Sequence, residues 1–190
     1  MSAWFEQVPD PDSPAAGSLI VRRRYGLIQA SAGRLDFVQV RPWPKMISGL
    51  EVWLADGVYH RRQACDQVRI WYNQPWQHSN YLTLAYSLSA LGTTLATLRA
   101  GLTTLDRIAR IKQSDAILCQ ASSRRVTDRV MRYFGYQRHL TDRRRRHYIR
   151  RFYGEYPGSG REQTGHASIQ SAALPLASLE TTDGGRHRVS

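Results

Sequence analysis

The sequence predicts an α+β fold: a mostly antiparallel mixed sheet packed by a long leucine-striped helix and by a second helix near the C-terminus. Three patterns predict it. Apolar and polar residues alternate in short runs over residues 19–72, the period of half-buried strands. Leu84, Leu88, Leu91, Leu95 and Leu98 recur at steps of three and four, one stripe along a helix. The unbroken run Ala116-Ile117-Leu118-Cys119 reads as a strand buried on both faces beside a helical crossover, and a helical segment ending in Phe134-Gly135-Tyr136 follows it.

Taken in order, residues 1–17 read as a flexible arm. Pro9, Pro11 and Pro14 block regular structure, and Trp4 and Phe5 are free to dock on the body. A single domain over residues 18–157 follows. Strands are expected at 19–25, 35–41, 50–54 and 58–63, the last two joined by Asp56-Gly57, whose residues tolerate positive φ. Val68, Ile70 and Tyr72 alternate in the next strand. Ser79 caps the leucine-striped helix, and Gly101 ends or bends it. Thr103 or Thr104 then starts a shorter piece carrying Leu105, Ile108 and Ala109. A dimerising seam is the other use of such a stripe, but the flanking charges of a coiled coil are missing. Ser122 or Ser123 caps the last helix, with Val126, Val130 and Phe134 at i+4 spacing and Gly135 at its C-terminal cap. Residues 136–140 and 147–153 form two closing strands. Residues 158–190, rich in Gly, Ser, Thr and Ala and without an aromatic residue, read as a disordered tail.

Charge bounds the partners. Lysine and arginine total 27 against 15 acids, a net charge of +12 and a pI near 10.4. Arginine outnumbers lysine 25 to 2, and residues 122–154 hold 11 of those arginines. An anionic ligand is expected, with nucleic acid among the alternatives. The best anion site is Arg143, Arg144, Arg145 and Arg146, continued by Arg150 and Arg151 and interleaved with Tyr148, Phe152 and Tyr153. Guanidinium forks take phosphate in two-point contacts, and the rings stack on bases. On a strand, Arg150 and Arg151 face opposite ways. A helix-turn-helix over residues 104–130 fails because the apolar run 116–119 makes its turn too long. His139 and His147 belong to the two closing strands and are placed to meet, whereas no pair of acids has the spacing of general acid–base catalysis. Cys65 and Cys119 stand in no ligand spacing, so no metal is expected, and a reducing, cytoplasmic setting follows from their use. The N-terminus has acids and prolines in place of an export signal. The uncharged residues 81–98 are too diluted with Ser and Thr for a membrane span, so no membrane partner is expected.

Over residues 114–156, SDAILCQ followed by SSRRVTDRVMRYFGY resembles the fifth strand and following helix of the GNAT N-acetyltransferase fold. Phe134-Gly135-Tyr136 stands where that family has an apolar residue before Gly-Phe or Gly-Tyr. The resemblance implies an acyl-CoA N-acyltransferase-like protein using acetyl-CoA or another acyl-CoA. It implies CoA phosphates facing the start of the leucine helix at Ser79, Asn80 and Tyr81. It also implies an arginine run that holds the 3′-phosphate or an acidic acceptor. Two departures point to degenerate or lost catalysis. The turn NQPWQHS has no glycine where the family has Gln/Arg-x-x-Gly-x-Gly/Ala, and Gly92 in SALGTT is the nearest alternative helix start. Met131 occupies the position of a tyrosine that often protonates the departing thiolate. Two further readings stay open: an arginine-rich nucleic-acid-binding module and a non-catalytic interaction domain. The acyl acceptor and oligomeric state are undetermined.

Overall fold

The alternating segments assemble into one mixed sheet. The computed structural model describes residues 5–44, 65–121, 127–139 and 146–157. Among them are strands β1 (Glu6–Val8), β2 (Tyr25–Ser31), β3 (Arg34–Arg41), β4 (Gln67–Asn73), β5 (Tyr81–Ser89), β6 (Ala116–Ala121), β7 (Gln137–Arg138) and β8 (Arg146–Arg151). The helices are α1 (Pro14–Arg22), α2 (Leu95–Ile111) and α3 (Asp128–Tyr133). The order is β1-β3-β2-β4-β5-β6-β8-β7, and every pair is antiparallel except β5–β6. The hairpin expected at residues 50–63, the tail expected over residues 158–190 and the Arg143–Arg145 part of the arginine run lie outside the described residues.

The strands follow the period-two pattern. In β2, Gly26, Ile28 and Ala30 are buried while their neighbours are half-buried. Ala32 and Gly33, at φ 46° and 77°, make the two-residue turn into β3, whose backbone matches the twist of the hairpin. The helix α2 packs across β2, β3 and β4, and its Leu102, Leu105 and Ile108 share one core with Ile28, Val38, Ile70, Tyr72, Leu82 and Ile117.

Four expectations are corrected. The long leucine-striped helix does not form. Residues 81–89 are strand, 91–92 a turn, and the helix begins at Leu95. The stripe coincides with a second pattern, Leu82 and Leu84 buried against Thr83 and Ala85 half-buried, and this period-two face meets the sheet. Tyr81, Thr83 and Tyr86 also fit a pleated surface better than a helix. Gly101, expected to end or bend a helix, does not end one, and no second helix starts at Thr103 or Thr104; α2 runs unbroken from Leu95 to Ile111. A Cβ there would stand 2.9 Å from Ile70 Cδ1 and 3.2 Å from Val68 Cγ1, so the glycine lets the helix lie close on β4. The N-terminal residues are not wholly irregular. β1 pairs with β3 at the sheet edge, and Pro14 takes the first position of α1, where its missing N–H costs nothing. The strand expected at 19–25 is mostly the end of that helix, because Ala16 and Ile20, four apart, bury together.

Near the C-terminus the expected order holds. β6 is the buried strand beside the crossover helix. α3 is capped by Thr127, whose Oγ1 accepts from Val130 N at 3.3 Å, while Ser122, Ser123 and Val126 lie outside the described residues. Gly135, at φ 78°, ends it in the left-handed conformation that favours glycine.

Candidate functional site at the β5–β6 opening

The parallel pair β5–β6 is the point where the sheet changes from one antiparallel half to the other. Its register runs from Tyr81 opposite Ala116 to Leu84 opposite Cys119 and stops there. Both strands continue: β5 stays on β4 as far as Ser89, and β6 stays on β8 as far as Ala121. The β4–β5 register shifts between Trp71 and Tyr72, which face Tyr86 and Leu84, so Ala85 is an extra residue in β5. A bulge bends and twists its strand, and this one falls next to Leu84, the last β5 residue paired with β6. A cavity of about 360 Å3 fills the opening, lined by Thr83, Leu84, Ala85, Leu118, Cys119, Gln120, His139, His147 and Tyr148. Crevices at the carboxyl ends of parallel strands are the usual ligand seats of open α/β sheets.

The chemistry of the lining is restrained. His139 and His147 do come together: the His139 N–H donates to His147 O at 2.7 Å, which continues the β7–β8 ladder. The Tyr148 hydroxyl donates to Asp128 Oδ1 at 2.5 Å, and Arg138 lies 3.6 Å from the other oxygen of that carboxylate. Burial, then the bond to Asp128, raises the Tyr148 phenol, while the same bond lowers the Asp128 carboxyl. Burial pushes the Cys119 thiol up to about 11, so at neutral pH it is a thiol and a poor nucleophile.

The site residues expected from sequence fall elsewhere. Ser79 and Asn80 form the turn before β5, and Tyr81 opens that strand. This is the opposite end of the β5–β6 pair from the opening. Ser79 O accepts from Gln74 Nε2, and Asn80 Nδ2 donates to Asp115 Oδ2 at 2.7 Å. The helix start belongs to Thr94, two residues beyond Gly92. There Thr94 Oγ1 accepts from Thr97 N at 3.2 Å and donates to Asp66 Oδ2 at 3.0 Å, and the Thr94 N–H donates to Asp66 Oδ1 at 2.8 Å. The Thr94 backbone bond first, then the Thr97 and Thr94 hydroxyls, hold the Asp66 carboxyl below its ordinary range against the opposing effect of burial. The positive end of α2 therefore already holds a carboxylate. A pyrophosphate seated there would meet Asp66 and find the Thr94 amide taken, so this terminus does not fit CoA phosphates as it stands.

Of the arginine run, the described members Arg146, Arg150 and Arg151 do not all share one face. Arg146 opens β8. Arg150 is largely buried, with Nη1 3.0 Å from Asp106 Oδ2 and 2.6 Å from Phe134 O. Arg151 is exposed and, next along the strand, on the opposite face. Met131 lies in the core. Sequence reading missed Thr83, Ala85, Leu118 and Gln120, although their alternation marks one strand face. It missed the pairing of Asp66 with Thr94 because nothing local signals a contact across 28 residues. Among the described residues, no group of three or more His, Cys, Asp or Glu side chains is placed to hold a metal ion, and no helix is long and apolar enough to cross a membrane. No protein-family model, curated protein or solved structure matches the chain.

Proposed function

We propose that the chain is an acyl-CoA N-acyltransferase-like protein that takes an acyl-pantetheine arm in the β5–β6 opening, with catalysis degenerate or lost. The observation that carries this reading is the parallel pair that ends at Leu84 and Cys119 beside the bulge at Ala85. Past that point no strand among the described residues covers this edge of β5. An extended, amide-bearing chain pairs with such an edge as an added strand does. Leu84, Ala85 and Leu118 give the cavity apolar walls suited to an acyl thioester. The succession of strand, crossover helix, parallel strand, short helix ending in Gly-aromatic and two closing strands supports the GNAT resemblance. Lost catalysis is favoured by Met131 in the core, by the protonated Cys119 and by the commitment of the Tyr148 hydroxyl to Asp128.

The test is the melting temperature with acetyl-CoA and with CoA. Ligand at a hundred times its Kd stabilises by about 2.7 kcal/mol, which a thermal scan resolves. Acetyl-CoA is expected to raise the melting temperature at micromolar to millimolar concentration. Ala85→Trp, which fills the opening, is expected to remove the rise. No shift at millimolar acetyl-CoA overturns the reading.

A further inference from the structure

A second concavity shares no residue with the β5–β6 opening. Arg99, Thr103, Asp106, Arg107 and Arg110 recur at helical spacing on one face of α2. They form one wall of a cleft of about 580 Å3 whose other wall includes Tyr133, Gly135 and Arg150. Asp106 is its buried acid, with a side chain only 5% exposed. Asp106 Oδ2 is held by Arg150, while Oδ1 has no partner among the described residues. The Tyr136 hydroxyl, close enough to Asp106 to feel its charge, has none either. Burial pushes the Asp106 carboxyl up to about 7 against the opposing pull of Arg150. A buried carboxyl with an unsatisfied oxygen is costly, and an acid so perturbed on the wall of a cleft is a candidate ligand-binding group.

The rim is basic. Arg110 reaches Asp12 at 2.7 Å and Arg107 reaches it at 3.5 Å, while Arg99 lies over the Tyr133 ring at 5.3 Å. Among the described residues, Arg99, Arg107, Arg110 and Arg150 share the cleft with two carboxylates, Asp12 and Asp106, an excess of positive charge. Guanidinium groups favour a phosphate, and the same excess disfavours a ligand ammonium. A neutral hydroxyl remains as the partner for the carboxyl. The volume is that of a small-molecule site.

We infer that this cleft binds a small phosphate ester carrying a free hydroxyl, with Arg99, Arg107 and Arg110 on the phosphate and Asp106 on the hydroxyl. Titration calorimetry on the full chain with glycerol 3-phosphate and with inorganic phosphate tests it. Glycerol 3-phosphate is expected to bind more tightly than inorganic phosphate. Arg99→Ala combined with Arg107→Ala is expected to weaken both by about tenfold or more, the scale of one lost charge-assisted contact. Asp106→Asn is expected to erase most of the preference between the two ligands. Arg151→Ala, on the opposite face of β8, leaves both affinities unchanged. If Asp106→Asn does not fold, the ligand preference and the arginine variants decide alone. The inference is overturned if neither ligand binds at millimolar concentration, if the double variant binds as the native chain does, if Arg151→Ala loses as much, or if inorganic phosphate binds as tightly as the ester.

Discussion

Gly26 and Tyr72 face each other across β2 and β4, and the tyrosine ring lies over the glycine. A Cβ at position 26 would fall 2.5 Å from Tyr72 Cζ, and the ring cannot retreat because Tyr72 is fully buried. Gly26→Ala is therefore expected to cost about 1–3 kcal/mol, the range of an overpacked core, measured by equilibrium urea unfolding. The same ring carries a hydroxyl with no partner among the described residues. An unsatisfied buried hydroxyl costs about 1–3 kcal/mol, so Tyr72→Phe is expected to gain about 1 kcal/mol. A loss of stability in Tyr72→Phe would mean that the hydroxyl is satisfied by a group not described. Neither relation is visible in the sequence, where Gly26 and Tyr72 are far apart and each reads as an ordinary strand residue.

At the scale of elements, α2 decides most of the architecture. Two effects oppose at Gly101. Alanine gains about 1 kcal/mol of helix propensity, while overpacking against Ile70 and Val68 costs about 1–3 kcal/mol. Packing wins, and Gly101→Ala is expected to destabilise by about 1 kcal/mol. Ile70→Val removes the Cδ1 atom that the new methyl would strike at 2.9 Å. The double variant Gly101→Ala/Ile70→Val should then be more stable than the sum of the two single changes. Additive losses would show that the helix, rather than Ile70, yields to the methyl. Much of this element level was legible. Strands β3, β4, β6 and β8, helix α3 and the Gly135 cap follow the periodicities and cap residues of their own segments. The exchange of a helix for β5 was not legible, because Leu84, Leu88, Leu91, Leu95 and Leu98 satisfy the helical period while Leu82 and Leu84 satisfy the strand period.

For the whole molecule, two partly or wholly buried charges set the response to pH in the neutral range. Lys112 ties the end of α2 to the Arg23 carbonyl at 2.7 Å and to Gln74 Oε1 at 3.0 Å. Burial, then Arg24, lowers its ammonium from 10.5 to about 8. The folded state thus releases that proton earlier than the unfolded chain, so stability rises as pH increases from 8 to 10.5. Asp106 has the opposite slope. Its folded value near 7 lies above the ordinary 3.8, so the folded state holds the extra proton and stability falls between 3.8 and 7. Together they predict a shallow stability minimum near pH 7–8, with melting temperatures higher at pH 5.5 and at pH 9.5. Lys112→Met should flatten the alkaline side and Asp106→Asn the acid side. A maximum at neutral pH in the native chain would contradict both assignments.

Short-range pattern alone gives the α+β class, a buried strand around the run 116–119, the helix that ends at Gly135, and the excess of arginine. Those features arise within short windows, where period, capping and composition act on neighbouring residues. The tertiary structure decided which of two periods residues 81–98 obey, since only a sheet on both sides makes the strand choice the one that buries Leu82 and Leu84. It also decided where the two proposed sites lie. The β5–β6 opening lies beside a bulge set by register against β4, and the arginine cleft depends on α2 meeting β8 through Asp106 and Arg150. Contacts between residues so distant in the chain carry no local signature, and both sites are built from them.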